Sequence, residues 1–107
     1  MSKNTRKRNK IYNALIEDSI DPDAMDYQLA SQIADLTIIV EETKQAIEDE
    51  GFIIKQQSTK GTVITRANPL VETYRSIQAN LSSQLTRFSN RQDRKQAQLI
   101  KDLNDDE

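Results

Sequence analysis

The sequence predicts a mainly α fold: a long antiparallel helical hairpin with a short β-hairpin connection, plus a short N-terminal helix and a polar C-terminal helix. Three observations lead there. Two long stretches carry apolar residues at helical spacing, a β-favouring segment lies between them, and Asp21-Pro22 and Asn68-Pro69 punctuate the chain as helix starts.

Residues 7 to 19 place Ile11 and Leu15, then Tyr12, Ile16 and Ile20, on a narrow stripe, which predicts a short first helix behind a frayed basic lead-in. In Asp21-Pro22-Asp23, Asp21 is the expected N-cap, Pro22 fits the first helical position, and Asp23 faces the positive end of the helix dipole. The second helix then runs to about Glu50 along Leu29, Ile33, Leu36, Val40, Thr43 and Ile47, with Gly51 expected to end it in a left-handed conformation. Phe52-Ile53-Ile54 and Thr62-Val63-Ile64-Thr65, separated by Ser58-Thr59-Lys60-Gly61, read as a small β-hairpin. After Asn68-Pro69 a third helix carries Leu70, Tyr74, Ile77, Leu81, Leu85 and Phe88. Ser89 with Gln92 three residues later reads as a capping box that starts a separate, mostly polar final helix. The expected organisation is residues 1–20 as basic arm and first helix, 21–88 as the central hairpin, and 89–107 as a polar C-terminal segment.

A chain of 107 residues supports one core, and with 36% hydrophobic and 30% charged residues and no Trp that core is thin. Without cysteine there is no disulfide framework, thiol catalysis or cysteine-ligated zinc. Met1-Ser2-Lys3-Asn4 leads into a basic stretch with no apolar signal region, and the longest apolar run, near Leu36 to Val40, is far short of a membrane span. A cytoplasmic protein that makes no membrane contact is expected.

The net charge of −2 conceals segregation. Residues 1 to 10 carry five bases and no acid, and Glu17 to Glu50 is strongly acidic with Lys44 its only base. From Phe52 to Lys101 bases dominate again, and Asp102, Asp105, Asp106 and Glu107 form an acidic tail. Clustered bases gain affinity for nucleic acid by releasing its counterions, so Lys3, Arg6, Lys7, Arg8 and Lys10 are candidate phosphate contacts. Lys55, Lys60 and Arg66 on the connection are a second candidate surface, with ordinary surface side chains as the competing reading.

With no His and no Cys, the usual nucleophiles and bases near neutral pH are missing, and two glycines make no phosphate loop. The expectation is a protein that is not an enzyme and needs no cofactor. Asp35, Glu42 and Asp49 recur every seven residues, but two helical turns, roughly 10 Å, are too far apart to share one ion. They read as a solvated face, with a metal-dependent nuclease as the weaker class. Residues 7 to 50 also admit a helix-turn-helix regulator with Gln28 and Gln32 reading bases, although Asp21, Asp23 and Asp26 would meet a negative groove.

The stripes of helices two and three face each other, yet Ile38, Ile39, Ile53 and Val71 fall outside them and need the first helix or a second copy to cover them. Leu29, Ile33, Leu36, Val40, Ile47, Tyr74, Ile77, Leu81 and Leu85 are accordingly the candidate oligomerisation residues as well as the candidate core.

An acidic amphipathic helix stopped at Gly51-Phe52, a connection with Lys60-Gly61, and Arg66-Ala67-Asn68-Pro69 opening a helix that contains Tyr74 come in a recognisable order. Over roughly residues 25 to 95 the chain resembles the small terminase subunit of tailed bacteriophages. That family often continues into a Leu-Thr-Pro type turn, whereas Phe88 to Arg94 lacks the proline, which leaves the roles of Arg91 and Arg94 open. The resemblance implies a DNA-packaging protein that binds double-stranded viral DNA. It further implies a homo-oligomeric ring, recruitment or regulation of the large terminase ATPase and nuclease, and work in the cytoplasm of an infected bacterial host.

Overall fold

The computed structural model describes residues 3–57 and 60–105. Three helices and one two-stranded antiparallel sheet follow in the order α1 (Lys3–Glu17), α2 (Ala24–Glu50), β1 (Ile53–Gln57), β2 (Val63–Ala67) and α3 (Pro69–Asp105). The expected fold class is observed: α2 and α3 form the long hairpin and the β-ribbon connects them.

Helix α1 takes in the basic residues from Lys3 rather than beginning at Lys7, so the arm is helical and not a frayed lead-in. It buries no residue completely. Tyr12, Leu15 and Ile16 pack half-buried on a core made of Leu29, Ala30 and Ile33 from α2 and Phe88 from α3, with Leu81 beside them. The main core therefore sits at one end of the hairpin, where three helices meet.

Helix α2 starts two residues later than expected. Asp21 is not its cap; it sits in the preceding turn at φ 41, a conformation that aspartate tolerates better than most residues. Asp23 caps instead. Its side chain accepts from the Asp26 N–H at 3.0 Å while the Asp26 carboxylate accepts from the Asp23 N–H at 3.1 Å, so two orphan donors are satisfied reciprocally. Pro22 therefore precedes the cap. At the other end Gly51 has positive φ as expected, but its φ 91, ψ 163 is extended rather than left-handed helical, and leads directly toward β1. That region is essentially confined to glycine.

Asn68 closes the hairpin. It is buried, accepts from the Leu70 N–H at 3.0 Å, and donates its amide to the Gly51 carbonyl at 2.8 Å. Its backbone N–H reaches the Phe52 carbonyl at 2.8 Å. One side chain thus caps α3 and donates to the carbonyl that ends α2. The β-ribbon between them pairs Ile53 with Ala67 and Gln57 with Val63; Ser58 and Thr59 of the expected turn lie outside the described residues.

Helix α3 runs unbroken for 37 residues, about 55 Å. Ser89 and Gln92 start no new helix: Ser89 and Asn90 are exposed mid-helix, while Arg91, Gln92 and Lys95 continue the contact with α2. The polar C-terminal helix is the far end of α3. The inward seam is Tyr74, Ile77, Leu81, Gln84 and Phe88 at a seven-residue repeat, which leaves Leu85 exposed.

Because Gly51 holds a backbone conformation closed to other residues, Gly51→Ala is expected to lower the unfolding free energy by about 1–3 kcal/mol, measured by urea denaturation. Asn68→Ala should cost about 1–2 kcal/mol as a lost cap, with added loss from the freed Gly51 carbonyl.

Candidate functional site

Two sets of charged contacts organise the molecule, and both consume charges that stand far apart in sequence. The first joins α3 to the N-terminus of α2. The Asp26 side chain is wholly buried, yet it carries a carboxylate. Arg91 Nε donates to its Oδ1 at 2.9 Å, Lys95 Nζ donates to its Oδ2, and Gln92 Nε2 donates to Oδ1 at 3.3 Å. Arg91 Nη2 also donates to both oxygens of Asp23, at 2.8 and 2.6 Å. Two of these α3 residues also hold the turn between α1 and α2: Gln92 accepts from the Ile20 N–H at 2.8 Å, and Lys95 donates to the Asp21 carbonyl at 3.0 Å.

Burial alone pushes the Asp26 carboxyl up. The hydrogen bonds from Lys95, Arg91 and the Asp23 backbone outweigh it and hold the group at about 2, against an ordinary 3.8. Asp23 is lowered chiefly by the Asp26 N–H. Arg91 is raised, chiefly by its hydrogen bond to Asp26. A carboxylate held this firmly is a clamp rather than a general base.

The second set joins α1 to α2. Lys7 pairs with Glu41 at 2.6 Å and Arg8 with Asp35 at 2.8 Å. Arg8 also donates to the Ser31 hydroxyl and lies 5.2 Å from the Tyr12 ring centroid. Asn4 donates to Glu42 at 2.5 Å. Asn4 near Glu42, Arg8 near Asp35 and Ser31, and Tyr12 near the Leu29 core place α1 antiparallel along α2. This differs from the crossed pair of a helix-turn-helix, in which the second helix projects free of the first.

The expected nucleic-acid residues consequently separate. Lys7 and Arg8 are engaged by the acidic helix, while Lys3, Arg6 and Lys10 stay exposed along one side of α1. On the ribbon, Lys55 is paired with Thr65 and Arg66 with Ile54, so Lys55 and Arg66 point to opposite faces and form no common surface. Lys60 is exposed beside the turn. Asp35 and Glu42 lie beneath α1, and Asp49 accepts from Gln45 at 3.0 Å, so these three acids have separate partners. Among the described residues no three carboxylates gather as a metal site.

The expected oligomerisation residues also separate. Leu29, Ile33 and Ile47 are buried within the chain and offer no surface to a second copy, while Leu36, Val40, Tyr74, Ile77 and Leu81 are half-buried in the same packing. Leu85 is exposed. Ile38 is buried, in part beneath α1, whereas Ile39 and Ile53 stay open to solvent. The conspicuous apolar exposure lies elsewhere: Phe52, Ile53, Val63 and Ile64 around the ribbon, and Leu99, Ile100 and Leu103 on the end of α3 beyond α2.

Comparison with protein-family models, curated proteins and solved structures finds no match. No described helix is long and apolar enough to cross a membrane.

Asp26 binds its proton more weakly folded than unfolded, so its contribution is complete above about pH 4 and is lost as the pH falls toward 2. Between those values the unmodified chain should lose about 2 kcal/mol more stability than Asp26→Asn, measured by urea titration at each pH. At neutral pH Asp26→Asn should cost about 2–3 kcal/mol, below the ~3–5 of a fully enclosed pair because Arg91 and Lys95 reach water.

Proposed function

We propose that the chain is a non-catalytic DNA-packaging subunit of the small terminase type. On this reading it assembles into a homo-oligomer, a ring, binds double-stranded viral DNA through exposed bases, and recruits or regulates a large ATPase and nuclease subunit in the cytoplasm of the infected host. The observation that carries the assembly part is the shape. The radius of gyration is 20.5 Å and the extents are 80 × 29 × 19 Å, where a compact chain of this length has about 13 Å. The accessible surface is 7898 Å², against ~6,100 Å² for a folded monomer of this mass. A rod with this excess, and with apolar side chains exposed on the ribbon and the end of α3, is what one subunit of a larger assembly looks like when seen alone.

The order of features from the acidic helix through Gly51-Phe52 to Asn68-Pro69 supports the packaging part, because Gly51 and Asn68 meet in space at the helix-to-ribbon corner. The exposed bases Lys3, Arg6 and Lys10 are the part of the arm available to phosphates. The helix-turn-helix alternative gains nothing from the side-by-side packing of α1 and α2. Nor does it explain why Asp23 and Asp26, at the end that would enter the groove, are clamped to α3.

Size exclusion with light scattering should give a defined multimer at micromolar concentration; a strict monomer up to the highest soluble concentration would sink the assembly reading. DNA binding should weaken steeply with salt and drop when residues 1 to 10 are removed.

A further inference from the structure

After Lys7 and Arg8 are paired with α2, and Arg91 and Lys95 with Asp23 and Asp26, a second group of bases is left on α3. Arg87, Arg94 and Lys101 are all exposed, and none makes an ion pair among the described residues. They stand seven residues apart, which places them on one side of the helix, roughly 10 Å from one to the next. That side lies away from the seam of Leu81, Gln84 and Phe88 that meets α2. Ser83 lies before them and Asn90 between them on the same side, and beyond Ser83 the first acid to share it is Asp105.

We propose that this stripe is a phosphodiester-binding surface for duplex nucleic acid, distinct from the arm. The inference rests on the nucleic-acid reading above and assigns it a second site. Cations alternating with short hydroxyl and amide side chains suit backbone oxygens, which accept from both kinds of donor. The stripe is about 21 Å long, and a duplex presents on the order of a dozen charges over that length. A helix holds the three bases at fixed spacing, whereas the exposed bases of the arm depend on how firmly α1 stays docked. Asp105 limits the footprint at its C-terminal end. The competing occupant is an acidic segment of a neighbouring copy.

The test is binding of a labelled random-sequence duplex to the full chain as a function of salt, read by fluorescence anisotropy. Replacing Arg87, Arg94 and Lys101 together by Gln should make the slope of log affinity against log salt shallower by about 2.7, which is three phosphate contacts. Circular dichroism melting should be unchanged because all three residues are exposed. Arg75→Gln, which removes one charge from another side of α3, should leave the slope nearly as it was, whereas Arg94→Gln alone should make it shallower by about 0.9. Replacing the three by Lys, Lys and Arg should restore the slope, since charge rather than bidentate geometry is required. An unchanged slope in the triple Gln variant, with binding lost only when residues 1 to 10 are removed, would overturn the stripe and leave the DNA reading standing. Loss of the multimer with an unchanged slope would give the stripe to a neighbouring copy and equally overturn the proposal. If the unmodified chain binds no duplex at any salt, the DNA reading itself falls, and the inference with it.

Discussion

The Asp26 carboxylate is buried at the point where the turn after α1, the N-terminus of α2 and the middle of α3 converge. A charge in that position is tolerable only while every partner stays in place. Arg91, Gln92 and Lys95 supply those partners from successive turns of one helix, and they reach past Asp26 to Asp23, the Ile20 amide and the Asp21 carbonyl. If α3 slid by one turn, all of these contacts would fail together. The register of the hairpin is therefore set by charge at this end and by Asn68 at the other, with the apolar core of Leu29, Ala30, Ile33 and Phe88 between them.

The same logic explains the charge blocks. An acidic middle flanked by basic stretches folds so that α1 lies on one side of α2 and α3 on another, with each basic stretch giving part of its charge to the acidic helix. Among the described residues, Lys3, Arg6 and Lys10 on α1 and Arg87, Arg94 and Lys101 on α3 make no ion pair, and on the proposed reading these are the sides that meet a polyanion. Net charge near zero is compatible with two cationic faces, because acids outside these ion pairs, among them Glu17, Asp18, Glu48 and Asp49, are exposed on other parts of the surface.

Much of the architecture was legible in the residues, since periodicity, Gly51 and Asn68-Pro69 are local signals. The misses share a cause. Asp23 displaced Asp21 as the cap because Asp26 completes a reciprocal box and anchors α3, a tertiary contact across more than sixty residues. Ser89 began no helix because a capping-box pattern has force only where the preceding chain leaves the helix, and Phe88, Arg91 and Lys95 keep it docked. The hydrophobic pattern places Leu85 in the seam because a leucine outweighs a glutamine in any hydrophobic count, yet Gln84 holds the inward position. Of the candidate site, the presence of a basic arm was visible. The pairing of Lys7 with Glu41 and Arg8 with Asp35, and the opposite faces of Lys55 and Arg66, were not, because they depend on which helix side α1 covers and on strand register.

An elongated chain whose helices are held in register by buried charge, and whose ribbon and α3 tip remain uncovered, is consistent with the proposed role as one subunit of an assembly. All of this depends on the clamp being energetic and not merely geometric. The most direct measurement is a double-mutant cycle on unfolding free energy with Asp26→Asn and Arg91→Met. A coupling of about 2 kcal/mol is expected for two groups acting as one unit, whereas effects that add to within ~0.5 kcal/mol would contradict it.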